Sequence, residues 1–178
     1  MKAFILGSAA FAFGAFALCP AAPALPANAD ETAMATARSL AKQHSAAAAE
    51  AALVAVTHST ANSADWHVEI AQKLMWLAYD APREGAGVDV VPALAASALQ
   101  HLQQADQLTE NAQKKAGIKV LTGLLQERYF GDHAAALTSY QAAAQLAPDH
   151  PQAKRFAARL QRMDAHAAEK LASKEVAP

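Results

Sequence analysis

One spacing pattern occurs twice in the sequence, and that repetition limits the fold more than any other feature. Ala136, Tyr140, Ala143 and Leu146 follow at steps of four, three and three, and Ala98, Leu102, Ala105 and Leu108 do the same. Such steps bring side chains to one face of an α-helix. Small and large residues alternate along both faces. A second helix can therefore approach closely at the alanines and be held by the larger side chain between them. A helix of this kind cannot bury its face alone, so the chain must supply neighbours for it.

The flanks of the second quartet sharpen the reading. Gly131 and Asp132 form a turn, since glycine tolerates positive φ and aspartate caps a following helix. Pro148 and Pro151 end that helix and open the next. Together, the Gly-Asp turn, Ala136, Tyr140, Ala143 and Pro148 resemble the second helix and exit turn of a tetratricopeptide repeat. The resemblance implies an all-α fold of antiparallel helical hairpins stacked as a short α-solenoid, and a protein-interaction scaffold as its function. The first quartet departs from that pattern. It lacks a Gly-Asp entry and has Glu110 where the exit proline would stand. The two quartets also stand about one helical turn further apart than the family period of about 34 residues, which predicts a lengthened helix between them.

Composition supports helix. Roughly a quarter of the residues are alanine, which favours helix and buries little area per side chain. The formal net charge is −1, and no basic stripe of the kind that binds nucleic acid is present. Lys2, the apolar run Ala3 to Leu18 and the Ala27-Asn28-Ala29 cleavage pattern read as a secretory signal over 1–29. Periplasmic or secreted placement follows as an expectation. Leu18 precedes Cys19 where a lipobox needs a small residue, which argues against a lipoprotein. Cleavage after Ala29 would leave a mature chain with no cysteine and no transmembrane segment.

The remaining chain is expected as an N-terminal helix and linker over 30–63, a hairpin domain with a capping helix over 64–165, and a tail over 166–178. Asp30 to about His58 reads as one helix with a thin alanine stripe. Ala64 to about Ala81 is stronger, with Trp66, Ile70, Leu74 and Leu77 in register. A loop follows over 82–91, in which Val88 to Val91 suit a short extended piece. Further helices are expected from Pro92 to Leu108, Glu110 to Phe130 and Gln152 to Leu171. In the Glu110 to Phe130 helix, Ile118, Leu121, Leu125 and Tyr129 form one stripe beside Val120 and Leu124. That is the pattern of a helix flanked on two sides, and Gly123 permits a close crossing there.

No catalytic motif is present. The seven histidines lack H-E-x-x-H spacing, and His67-Val68-Glu69 lacks the P-C-x-x-C partner of zinc deaminases. The expectation is therefore no enzyme, no cofactor and no metal. Glu69, Lys73 and Trp76 share the face of their helix opposite Trp66, and Glu69 ahead of Lys73 is a favourable i, i+4 pair. These three residues and Arg128 are the candidate contacts for a protein or peptide partner. The opposing expectation for Trp76 is burial under the 82–91 loop. A short stack also leaves self-association open. The alternative function is a small envelope enzyme or ligand-binding helical domain with its pocket under the 82–91 loop.

Overall fold

A computed structural model describes residues 28–57, 59–87, 89–150, 152–162 and 165, with side chains from Asp30 onward. Residues 1–27 of the leader expected over 1–29, the tail over 166–178, and Met163 lie outside the described residues. Among the described residues the fold is all-helical, with seven helices and no strand. They are α1 (Asn28–Lys42), α2 (Ala46–Val54), α3 (Ala64–Asp80), α4 (Val90–Leu108), α5 (Ala112–Tyr129), α6 (His133–Leu146) and α7 (152–162). Consecutive helices pair as antiparallel hairpins, α1 with α2, α3 with α4 and α5 with α6, and α5 also packs on α4.

Side-chain caps set most of the helix starts. Ser45, Ser63, Asn111 and Asp132 each accept a hydrogen bond from the backbone N–H three residues on, opening α2, α3, α5 and α6. Gly131 holds φ at 65°, the left-handed geometry that the turn before α6 requires.

The N-terminal region departs from expectation. The single helix from Asp30 to His58 is broken at Gln43–Ser45, where His44 takes a φ of 62° and Ser45 starts α2. A thin, mostly alanine stripe buries little area along a straight helix. Folding back buries Ala37 and Ala41 in the same core as Ala49 and Leu53. The result is a third hairpin where one helix was expected. Val90 and Val91 likewise do not extend. They form the first turn of α4, with Val90 buried against the core and Pro92 in the first helical turn, where its missing N–H costs nothing.

The repeated quartets pack alike. Ala98, Leu102 and Ala105 are fully buried, and so are Ala136, Tyr140 and Ala143. The fourth members, Leu108 and Leu146, are 52% and 37% exposed, because each is the last residue of its helix and lies beyond the neighbour it would cover. One core runs from Ala37 in α1 to Leu125 in α5. Two smaller clusters join α5, α6 and α7 through Ala116, Val120, Tyr140 and Leu160. α5 serves both sides, with Ile118 and Leu125 facing the main core and Ala116 and Val120 facing α6 and α7.

Candidate functional site

α3 carries most of the candidate residues, and its outer face meets α1 on one side and the end of α5 on the other. The ammonium of Lys73 bonds Glu69 Oε1 and Asp30 Oδ1, each at 2.9 Å. Burial pulls the Lys73 pKa down, but the hydrogen bonds and charges of Glu69 and Asp30 outweigh that and hold it above the usual lysine value. Glu69 Oε2 also accepts from Ser59 Oγ at 2.8 Å. Glu69 and Lys73 thus bind α1 and the turn before α3 to the body. Arg38 to Asp80 at 3.2 Å and Lys42 to Glu84 at 2.8 Å extend the same seam.

Trp76 stands beside this seam and is 45% exposed. Burial under the 82–91 loop does not occur. Arg83, Glu84 and Gly85 of that loop are themselves exposed. α1 leaves a groove of about 400 Å³ lined by Asp30, Glu31, Met34, Arg38, Lys73 and Trp76. The groove therefore lies between α1 and α3. The ion pairs hold the two helices together at their polar side chains, and the indole keeps nearly half of its surface exposed beside them.

Trp76 and Arg128 are brought together through Tyr79. The Trp76 and Tyr79 rings meet edge to face with centroids 6.2 Å apart. The guanidinium carbons of Arg128 and Arg83 lie 4.5 and 4.3 Å from the Tyr79 ring centre, and Arg83 donates to the Tyr79 hydroxyl at 2.7 Å. Arg128 reaches this position because Tyr129, the next residue, anchors the end of α5. Its hydroxyl donates to the Met75 carbonyl at 3.2 Å. Burial, with Tyr79 and Asp80 adding to it against Arg128, raises the Tyr129 pKa, so the donor stays protonated. Sequence reading missed Tyr79 and Arg83. Their i, i+4 spacing across the end of α3 was the available signal. Nothing local in the sequence places Arg128 over the same ring.

A second polar cluster joins α2, α3 and α4. His101 Nε2 lies 3.0 Å from Glu50 Oε1, and Glu50 Oε2 accepts from Ser97 Oγ at 2.5 Å. His67 Nδ1 faces His101 Nδ1 at 2.8 Å, and Trp66 sets its edge against both imidazoles. A carboxylate only accepts, so His101 Nε2 carries a proton. Its Nδ1 in the neutral ring is then an acceptor for His67 Nδ1–H. The ring centres are 5.1 Å apart, about as far as this nitrogen contact allows, so the nitrogens meet head on. That geometry shares a proton. It does not offer two lone pairs to one metal ion. Among the described residues no three His, Cys, Asp or Glu side chains could hold a metal. Glu69, the acid of the His67-Val68-Glu69 run, points to Ser59 and Lys73 and not into this cluster.

No described helix is long and apolar enough to cross a membrane. Comparison with known protein families, curated proteins and solved structures finds no match to the chain.

Proposed function

We propose that the chain is an exported, non-catalytic scaffold of tetratricopeptide-like hairpins that holds a protein or peptide partner in the cell envelope. The observation that carries this reading is Trp76. A tryptophan nearly half open to solvent sits between a groove and an arginine-flanked tyrosine, on a face of stacked helices. Tryptophan, tyrosine and arginine are the residue types that dominate binding energy at protein interfaces. The partners of Lys73, Arg38 and Tyr129 fix the surrounding backbone before any partner arrives, so binding orders little.

The resemblance at Gly131 to Pro151 and the leader-like sequence over 1–29 support the family and the compartment in this reading. The test is site-specific photo-crosslinking in cells making the full chain, with the reactive residue placed at Trp76 or, as a control, at exposed Lys154 on α7. One adduct at position 76 and none at 154 is the expected result. Equal labelling, or none at either site, would sink the scaffold reading. Intact mass of the exported protein is expected to begin at Asp30.

A further inference from the structure

Eight cationic side chains lie on α1 to α5 and their connections, and the ion pairs divide them sharply. Arg38, Lys42, Lys73, Lys114, Lys115 and Lys119 each meet a carboxylate. Among the described residues Arg83 and Arg128 do not. These two come from different elements, yet both stack on the Tyr79 ring. Each follows or ends a helix, where the partial negative charge of the C-terminus favours a cation without neutralising it. Both are exposed. Arg83 spends one donor on the Tyr79 hydroxyl, and guanidinium carries five.

We propose that Tyr79, Arg83 and Arg128 receive a carboxylate of an acidic peptide segment, with an apolar side chain of the same segment lying on Trp76. The inference rests on the scaffold reading and names its partner's chemistry. Contact with the Tyr79 ring holds both guanidinium groups in place, and each keeps N–H donors beyond the one that Arg83 gives the hydroxyl. A planar fork held in this way suits bidentate recognition of a carboxylate. Trp76 meets the same tyrosine edge to face, so the apolar anchor and the charged anchor adjoin. A nucleic acid fits poorly here. The other lysines and arginines of α1 to α5 meet carboxylates, and the formal net charge is −1.

The probe is a random peptide library displayed on phage and selected on the immobilised full chain. Peptides enriched in Asp and Glu beside an aromatic or aliphatic residue are expected. In fluorescence anisotropy, replacing the acids of a selected peptide with their amides should weaken binding about tenfold or more. Arg83→Gln with Arg128→Gln should weaken the acidic peptide similarly and leave the amide form unchanged, because the two changes remove one interaction from opposite sides. Arg155→Gln, on α7, should change nothing. Unaltered thermal melts establish that the variants fold. Selected peptides without acids, or binding indifferent to amidation or to the arginine pair, would overturn the acidic partner while leaving a scaffold. Failure to select any peptide would overturn both.

Discussion

Gly123 carries two opposed tendencies, and their sizes decide its role. Helix propensity alone favours alanine there by about 1 kcal/mol. A Cβ at this position would stand 2.5 Å from Tyr140 Cε1. The ring is fully buried, packs 5.2 Å from Phe156 and bonds Glu127 through its hydroxyl at 3.1 Å, so it has no room to move. Overpacking of this kind costs about 1–3 kcal/mol. Gly123→Ala is therefore expected to lower the urea midpoint despite the better helix former. Tyr140→Ala should cost about 3–5 kcal/mol, and Ala136→Leu about 1–3 kcal/mol. Parent-like melts for all three would mean that α5 and α6 do not cross here. His67 gives a pH prediction. Burial first, and then the charge of His101, lower its pKa below the ordinary 6.5. Below that pH the unfolded chain takes up a proton that the folded chain resists. Stability should be full above about pH 6.5 and fall as pH drops toward the folded value. Denaturant melts across that window should flatten in His67→Gln.

At the scale of elements, the caps and turns were legible because their chemistry is local. Asp132 and Gly131 behave as their residue types dictate. The break between α1 and α2 was not legible in the same way. Gln43-His44-Ser45 carries no glycine or proline, and His44 adopts positive φ only because the fold-back buries alanines on both sides of it. The hairpin so formed is joined to α3 by the shared core and by ion pairs. Lys73→Met should therefore loosen α1 specifically. After solvent screening the loss is about 1 kcal/mol or less. It should appear as a few-fold faster amide exchange in α1, with α3 and α4 unchanged. Equal exchange in all three helices would show that the Asp30–Lys73–Glu69 bridge does not hold the hairpin.

For the whole molecule, the division of the core matters more than the number of helices. Alanine supplies many core positions but little buried area. The large, fully buried side chains are Leu53, Ile70, Leu74, Leu77, Leu94, Leu102, Leu125, Tyr140 and Leu160. Only Tyr140 and Leu160 of these lie in the α6 and α7 clusters. Leu160→Ala, costing about 2–5 kcal/mol, should open α6 and α7 while α3 and α4 stay protected. Leu125→Ala, in the main core, should instead lower protection throughout. Hydrogen exchange followed by mass spectrometry separates the two outcomes. Uniform loss in both variants would make the stack a single cooperative unit.

The sequence by itself determined the helical class, the α6 turn and cap, and the burial of the first three members of each quartet. Periodicity, capping and turn chemistry act within one or two helical turns, so they are written in neighbouring residues. It also placed Glu69, Lys73 and Trp76 on one face of α3. Only the tertiary structure decided that Lys73 spends its charge on Asp30, that Trp76 stays open, and that Arg128 stacks on Tyr79. It alone brought His67, His101 and Glu50 together. Each of these depends on where two distant helices end relative to each other. That is set by packing of the alanine faces between them, and no local pattern around the interacting residues encodes it.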